Sequence, residues 1–106
     1  MFKLAAEPIF THVVPILVPV DGGLEKQTMK VTYNVLTSER YRELLDEDQF
    51  ALVRELIARI EDVVDQNGDP MDYNDALRDH LIELPYVRLG LLRGYNDAIV
   101  GAQAKN

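Results

Sequence analysis

"FTHVVPILVPVDGGLEKQTMKVTYNVL", Phe10 to Leu36, decides the fold. Residues 10–20 and 27–36 are rich in Val, Ile, Thr and Tyr, and they flank "DGGLEK", where Asp21, Gly22 and Gly23 supply turn chemistry. Two such runs around a glycine-bearing turn predict an antiparallel β-hairpin with strands over about 10–20 and 27–36. The second arm alternates as a half-buried strand should, with Met29, Val31, Tyr33 and Val35 on one face and Thr28, Lys30, Thr32 and Asn34 on the other. The first arm is apolar on both sides. Val14, Ile16, Val18 and Val20 share one face, while Val13 and Leu17 lie opposite beside Pro15 and Pro19. Proline has no N–H for a ladder, so this strand belongs at a sheet edge. A two-faced apolar edge invites association unless something covers it. A helix of the same chain, a second copy or a partner protein would each do so.

Beyond Leu36 the hydrophobic period changes from two to nearly four. Thr37 or Ser38 can cap a helix over about 38–46, and Asp48 can cap a second over about 48–61. In the second, Phe50, Val53, Leu56, Ile57 and Ile60 form an apolar stripe at helical spacing. Asn74 or Asp75 can cap a third over about 75–83, with Tyr73 stapling onto Leu77. Pro85 suits the first turn of a fourth helix, about 85–103, because its missing N–H would go unpaired there anyway. The class predicted is α+β, a hairpin packed against about four helices, in one domain spanning 1–106.

A chain of 106 residues, 47% hydrophobic, suffices for one folded core. Its net charge of −7 makes nucleic acid and anionic membrane poor partners. There is no cysteine, which removes disulfides, thiolate catalysis and thiolate-bound zinc. The N-terminal apolar stretch is broken by His12, Pro15 and Pro19, which argues against a signal peptide or a membrane-spanning helix and fits a cytoplasmic protein.

Chemistry has few places to sit. "DQNGDP", residues 65–70, begins like a calcium loop, since Asp65, Asn67 and Asp69 fall at ligand positions 1, 3 and 5. Pro70 then occupies the position that needs glycine, and Ala76 the position that needs a bidentate glutamate. Asn67-Gly68 instead predicts a tight type I′ turn. His12 and His80 lack a partner at ligand spacing, Ser38 is the only serine, and no glycine-rich phosphate loop is present. The chain reads as a non-enzyme without a cofactor.

The last helix carries one unusual feature. Gly90, Gly94, Ala98 and Ala102 recur at every fourth residue. A glycine within a helix costs roughly 1 kcal/mol against alanine, so this stripe requires a close neighbour. That neighbour is either the chain's own hairpin or the helix of a dimer mate or partner. Arg93 and Asp97 exclude a bilayer.

The order "IEDVVDQNGDPMDYNDALRDHLIELPYVRLGLLRGYNDAIVGAQAKN", residues 60–106, following a strand pair, resembles the tail assembly chaperones of long-tailed bacteriophages and prophages. The matching positions are Val63, Val64, Asp65, Gly68, Pro70, Tyr73, Leu77, Leu84, Pro85, Tyr86, Val87, Arg88, Tyr95, Lys105 and Asn106. Ile60 stands where the family pattern has tryptophan, and "KVTYNVL" lacks the basic-aromatic strand pattern. The resemblance implies a protein of the bacterial cytoplasm that binds the helical tape measure protein, assists the tail tube protein and is absent from the finished virion. A groove for such a helix would combine Val13 and Leu17 of the edge strand with Tyr86, Gly90, Leu91, Gly94, Tyr95 and Ala98 of the last helix. Self-association is compatible with the same surfaces. The terminal Ala-Lys-Asn can be encoded by a slippery A-AAA-AAC run, as expected where such chaperones are made in two lengths by a −1 slip. Other morphogenesis proteins (a head-tail connector or a tail completion factor) and a small metal-binding module on the 65–69 loop are the competing readings.

Overall fold

A computed structural model describes residues 1–104, with side chains as far as Gly101. Lys105 and Asn106, invoked in the family pattern and the slippery codon run, lie outside the described residues, as does the side chain of Ala102. The elements are β1 (Ile9–Val20), β2 (Gly23–Asn34), α1 (Ser38–Glu47), α2 (Gln49–Leu56), β3 (Ile57–Glu61), α3 (Asp75–Glu83) and α4 (Pro85–Ala104). This is the α+β arrangement that the sequence predicts, with a third strand added.

β1 and β2 pair without interruption from Ile9↔Asn34 to Val20↔Gly23. Only Asp21 and Gly22 turn the chain, so β2 begins at Gly23, not near Gln27, and most of "DGGLEK" is strand. Gly22 holds φ at +81°, which an L side chain resists. The strand order β1-β2-β3 places the proline-bearing β1 at an edge, as expected.

The predicted helix over 48–61 is corrected. α2 ends at Leu56, and Ile57–Glu61 crosses to pair antiparallel with β2. Tyr33 opposes Ile57 and Thr32 opposes Arg59, which leaves Ala58 as the extra residue of a β-bulge. Without the bulge, residues 57 and 60 would point to opposite faces. With it both are buried, at 4% and 1% exposure. The three-residue spacing that suggests a helix is here the signature of a bulged strand.

Side chains cap the helices as expected. Thr37 Oγ1 accepts from the Arg40 N–H at 3.2 Å, Asp48 Oδ1 from the Phe50 N–H at 3.1 Å, and Asn74 Oδ1 from the Leu77 N–H at 2.8 Å. The 65–70 segment is a turn, but not type I′. Asp65 Oδ1 accepts the N–H groups of Asn67 and Asp69 at 2.8 and 3.0 Å, and only Gly68 takes a positive φ, +85°. The Asp65 side chain holds the loop so that one left-handed residue suffices. Asp62, just after β3, is the one non-glycine with positive φ among the described residues.

The inner sheet face supplies Val14, Ile16, Val31, Tyr33, Ile57 and Ile60 to a core completed by Leu44, by Leu52, Val53 and Leu56, by Leu77, Leu81 and Ile82, and by Val87, Leu91 and Tyr95. Each large apolar side chain so buried contributes roughly 1.5–3 kcal/mol. Arg88 locks the start of α4. Its guanidinium lies 4.3 Å from the Phe50 ring centroid, donates to the Ile82 carbonyl at 2.7 Å and reaches Gln49 Oε1 at 3.0 Å.

Candidate functional site

α4 lies along β1 and touches it most closely at its two inner glycines. A Cβ built on Gly90 would stand 2.5 Å from Ile16 Cδ1, and one on Gly94 would stand 2.8 Å from Tyr33 Oη and 2.9 Å from Val14 Cγ1. The close neighbour that the small-residue stripe requires is therefore the protein's own hairpin. The Tyr33 hydroxyl donates to the Leu91 carbonyl at 2.7 Å, and the Leu36 N–H donates to Tyr95 Oη at 3.2 Å. Burial pushes the Tyr33 phenol far above its ordinary pKa, so it remains a donor.

Past Gly94 the helix diverges from the strand and opens a groove of about 450 Å³, lined by His12, Val13, Val14, Pro15, Gly94, Asp97, Ala98 and Gly101. Gly94, Ala98 and Gly101 follow an i, i+4, i+7 pattern, so the helical wall of the groove carries almost no side chain. The opposite wall is the β1 edge. The Val35 N–H donates to the Pro8 carbonyl at 3.0 Å, which fixes even-numbered β1 residues as the ones bonded to β2. The backbone groups of Val13, Pro15, Leu17 and Pro19 thus face outward, and two of these four positions have no N–H. A strand added at this edge would lose every second donor from Val13 onward. A helix, which satisfies its own backbone, loses nothing there.

The eight residues expected to form the groove divide. Val13, Gly94 and Ala98 line it. Gly90 is sealed against Ile16 and Pro15. Leu91 and Tyr95 are corrected: they turn inward, at 0% and 4% exposure, because residues 87, 91 and 95 form the stripe of α4 that faces the core. Tyr95 stacks on Tyr41 and Phe10, with ring centroids 6.0 and 5.9 Å away. Leu17 is on the outer sheet face, 39% exposed. Tyr86 lines a different cleft of about 410 Å³, formed with Val18, Met29, Val63 and Leu84 at the junction of α3 and α4. Sequence reasoning missed Gly101, His12 and Asp97. Gly101 was accessible, since it continues the Gly94–Ala98 face by one helical turn.

Polar chemistry is sparse throughout. Among the described residues no three His, Cys, Asp or Glu side chains gather where they could hold a metal ion. The Asp65 carboxylate is occupied by backbone N–H groups. The depressed carboxylates, Glu55, Glu61 and Asp79, owe their shifts first to hydrogen bonds from Arg40, Arg59 and Arg78, which are solvent-exposed ion pairs. Arg40, Glu55 and Arg78 border a shallow open cleft, but there the carboxylate is already paired. No helix among the described residues is long and apolar enough to cross a membrane. No protein-family model matches the chain, and no curated protein or solved structure matches it either.

Proposed function

We propose that the chain is a tail assembly chaperone of a long-tailed bacteriophage or prophage. In this reading it shields a helical segment of the tape measure protein, assists assembly of the tail tube and leaves the particle before completion. One observation carries the structural side. The groove between α4 and the β1 edge has a wall of Gly94, Ala98 and Gly101, along which a second helix backbone can approach closely, while Pro15 and Pro19 deny that edge to an added strand. The order and spacing of residues 60–106 support the family reading. The acidic net charge suits a protein that must keep an apolar client soluble.

Co-expression with the long helical protein encoded downstream tests the reading. The client should appear in the soluble fraction only with this chain and should co-purify with it. Mass spectrometry of purified particles should not detect the chain; its retention there would instead identify a connector or completion factor.

A further inference from the structure

The sheet face turned away from the helices is uncovered and divided into two chemically different rows. Along β1 stand Ile9, Val13 and Leu17, at 60%, 67% and 39% exposure. Directly opposite in the β1–β2 register, Lys30 faces Val13 and Lys26 faces Leu17, and Arg59 of β3 extends the basic row opposite Thr32. An open antiparallel face is ordinarily polar throughout. Here it is half apolar, and its charge is opposite to that of a chain whose net charge is −7. Lysines often guard sheet edges against strand addition. β2 pairs with β3 only from Lys30 to Tyr33, so Lys26 lies on an open stretch of β2 where it can serve that purpose, whereas Lys30 faces Glu61 of β3 and guards no edge. Lys30 and Arg59 share one carboxylate, Glu61, at 3.8 and 2.7 Å, while Lys26 forms no ion pair among the described residues.

We propose that this face docks an acidic amphipathic helix of a partner protein. The partner's apolar side chains would lie over the β1 row and its carboxylates over Lys26 and Lys30. The dimensions agree. Two residues along a strand advance about 6.7 Å, and four residues along a helix advance about 6 Å. Apolar side chains at i, i+4 and i+8 therefore keep step with Val13, Pro15 and Leu17. The otherwise acidic surface repels extended polyanions, which favours a short segment with localised carboxylates over nucleic acid or an anionic bilayer. Val13 and Pro15 border both this face and the groove beside α4, whereas Leu17, Lys26 and Lys30 line no part of that groove, so variants at these three separate the two surfaces.

The test is a fluorescence anisotropy titration of the full chain with a labelled synthetic peptide of about five helical turns. The peptide carries leucines on one face and glutamates beside them, and a scrambled peptide of the same composition serves for comparison. Saturable binding should weaken with added salt and fall by about tenfold or more in the double variant Lys26→Glu, Lys30→Glu. The double variant Arg42→Glu, Arg93→Glu changes the net charge equally, away from this face, and should bind within about twofold of the parent chain. Leu17→Asn should weaken binding through the apolar row, and it replaces the lysine variant if circular dichroism shows that the latter unfolds. Equal losses in both double variants, equal binding of the scrambled peptide, no binding at millimolar peptide, or capture of anionic vesicles in place of the peptide would each overturn the proposal.

Discussion

The Tyr33 hydroxyl donates to the Leu91 carbonyl across 2.7 Å, and this buried bond sets the distance between the sheet and α4. Gly94 sits one turn beyond Leu91, directly over the same phenol. The bond and the glycine are therefore two parts of one close approach. The groove begins where that approach ends.

Alanine at the two inner glycines should separate them. Either substitution gains about 1 kcal/mol in helix propensity. At Gly94 the new methyl meets Tyr33 Oη at 2.8 Å and Val14 Cγ1 at 2.9 Å, the first held by its buried bond and the second on a paired strand. Overpacking of that kind costs about 1–3 kcal/mol, and the rigidity of both neighbours puts this site toward the upper end. After the propensity gain, Gly94→Ala should therefore lower stability by up to about 2 kcal/mol net, or several degrees in Tm. At Gly90 the obstacle is Ile16 Cδ1, the free end of a side chain. Gly90→Ala should therefore cost clearly less. Thermal melts of the two variants compare them, and a Gly90 variant that melts lower would contradict this account of the packing.

The same phenol predicts an alkaline response. Burial raises its pKa above the ordinary 10, because the charged form would be stranded in the core. A raised value means that the stabilising contribution is complete below pH 10 and is lost as pH rises further, when the unfolded chain ionises first. Tyr73 is raised as well, again chiefly by burial. Tyr33→Phe should cost about 1 kcal/mol at neutral pH through the lost hydrogen bond. It should also flatten, without abolishing, the decline in urea midpoint above pH 10.

Opposite in sign is the response to acid. Arg40 grips Glu55 through two bonds of 2.8 Å, joining α1 to α2, and this pairing holds the Glu55 carboxyl below its ordinary value. A depressed carboxylate contributes stability above its unfolded pKa, about 4.3 for glutamate, and loses it as pH falls through the folded value. Urea midpoints should hold from neutral pH to about 4.3 and then fall. Arg40→Gln should make the fall shallower, since the unpaired Glu55 would titrate alike in both states. Because the pair is exposed, added salt should narrow the difference between the two proteins.

How much of this was legible in the chain depends on what each segment packs against. The hairpin was readable because alternation along β2 and the prolines of β1 both report a half-covered edge pair. The helix caps were readable because Thr37, Asp48 and Asn74 each bond within three residues. β3 was not. Ala58 bulges out and lets Ile57 and Ile60 share one face, so the local spacing imitates a helix and only the pairing with β2 resolves it. The groove was half legible. The stripe of small residues was plain, but which portion meets the hairpin and which stays open depends on the angle at which α4 leaves β1. That angle is set by contacts 58 and 59 residues apart in sequence, between Tyr33 and Leu91 and between Leu36 and Tyr95.

The groove itself makes the sharpest functional prediction. Ala98 lines it and packs against no core residue that would need to move. Ala98→Leu keeps a strong helix former and adds bulk only where a client helix would approach, so its stability should stay within about 0.5 kcal/mol of the parent. If, as proposed, the groove seats the tape measure protein, soluble client in co-expression should fall several-fold while this chain's own yield and melting temperature stay unchanged. Fractionation followed by immunoblotting of both proteins measures this directly. A client that stays fully soluble beside Ala98→Leu would move the binding site off α4, because a leucine there leaves an approaching backbone no room beside Gly94 and Gly101.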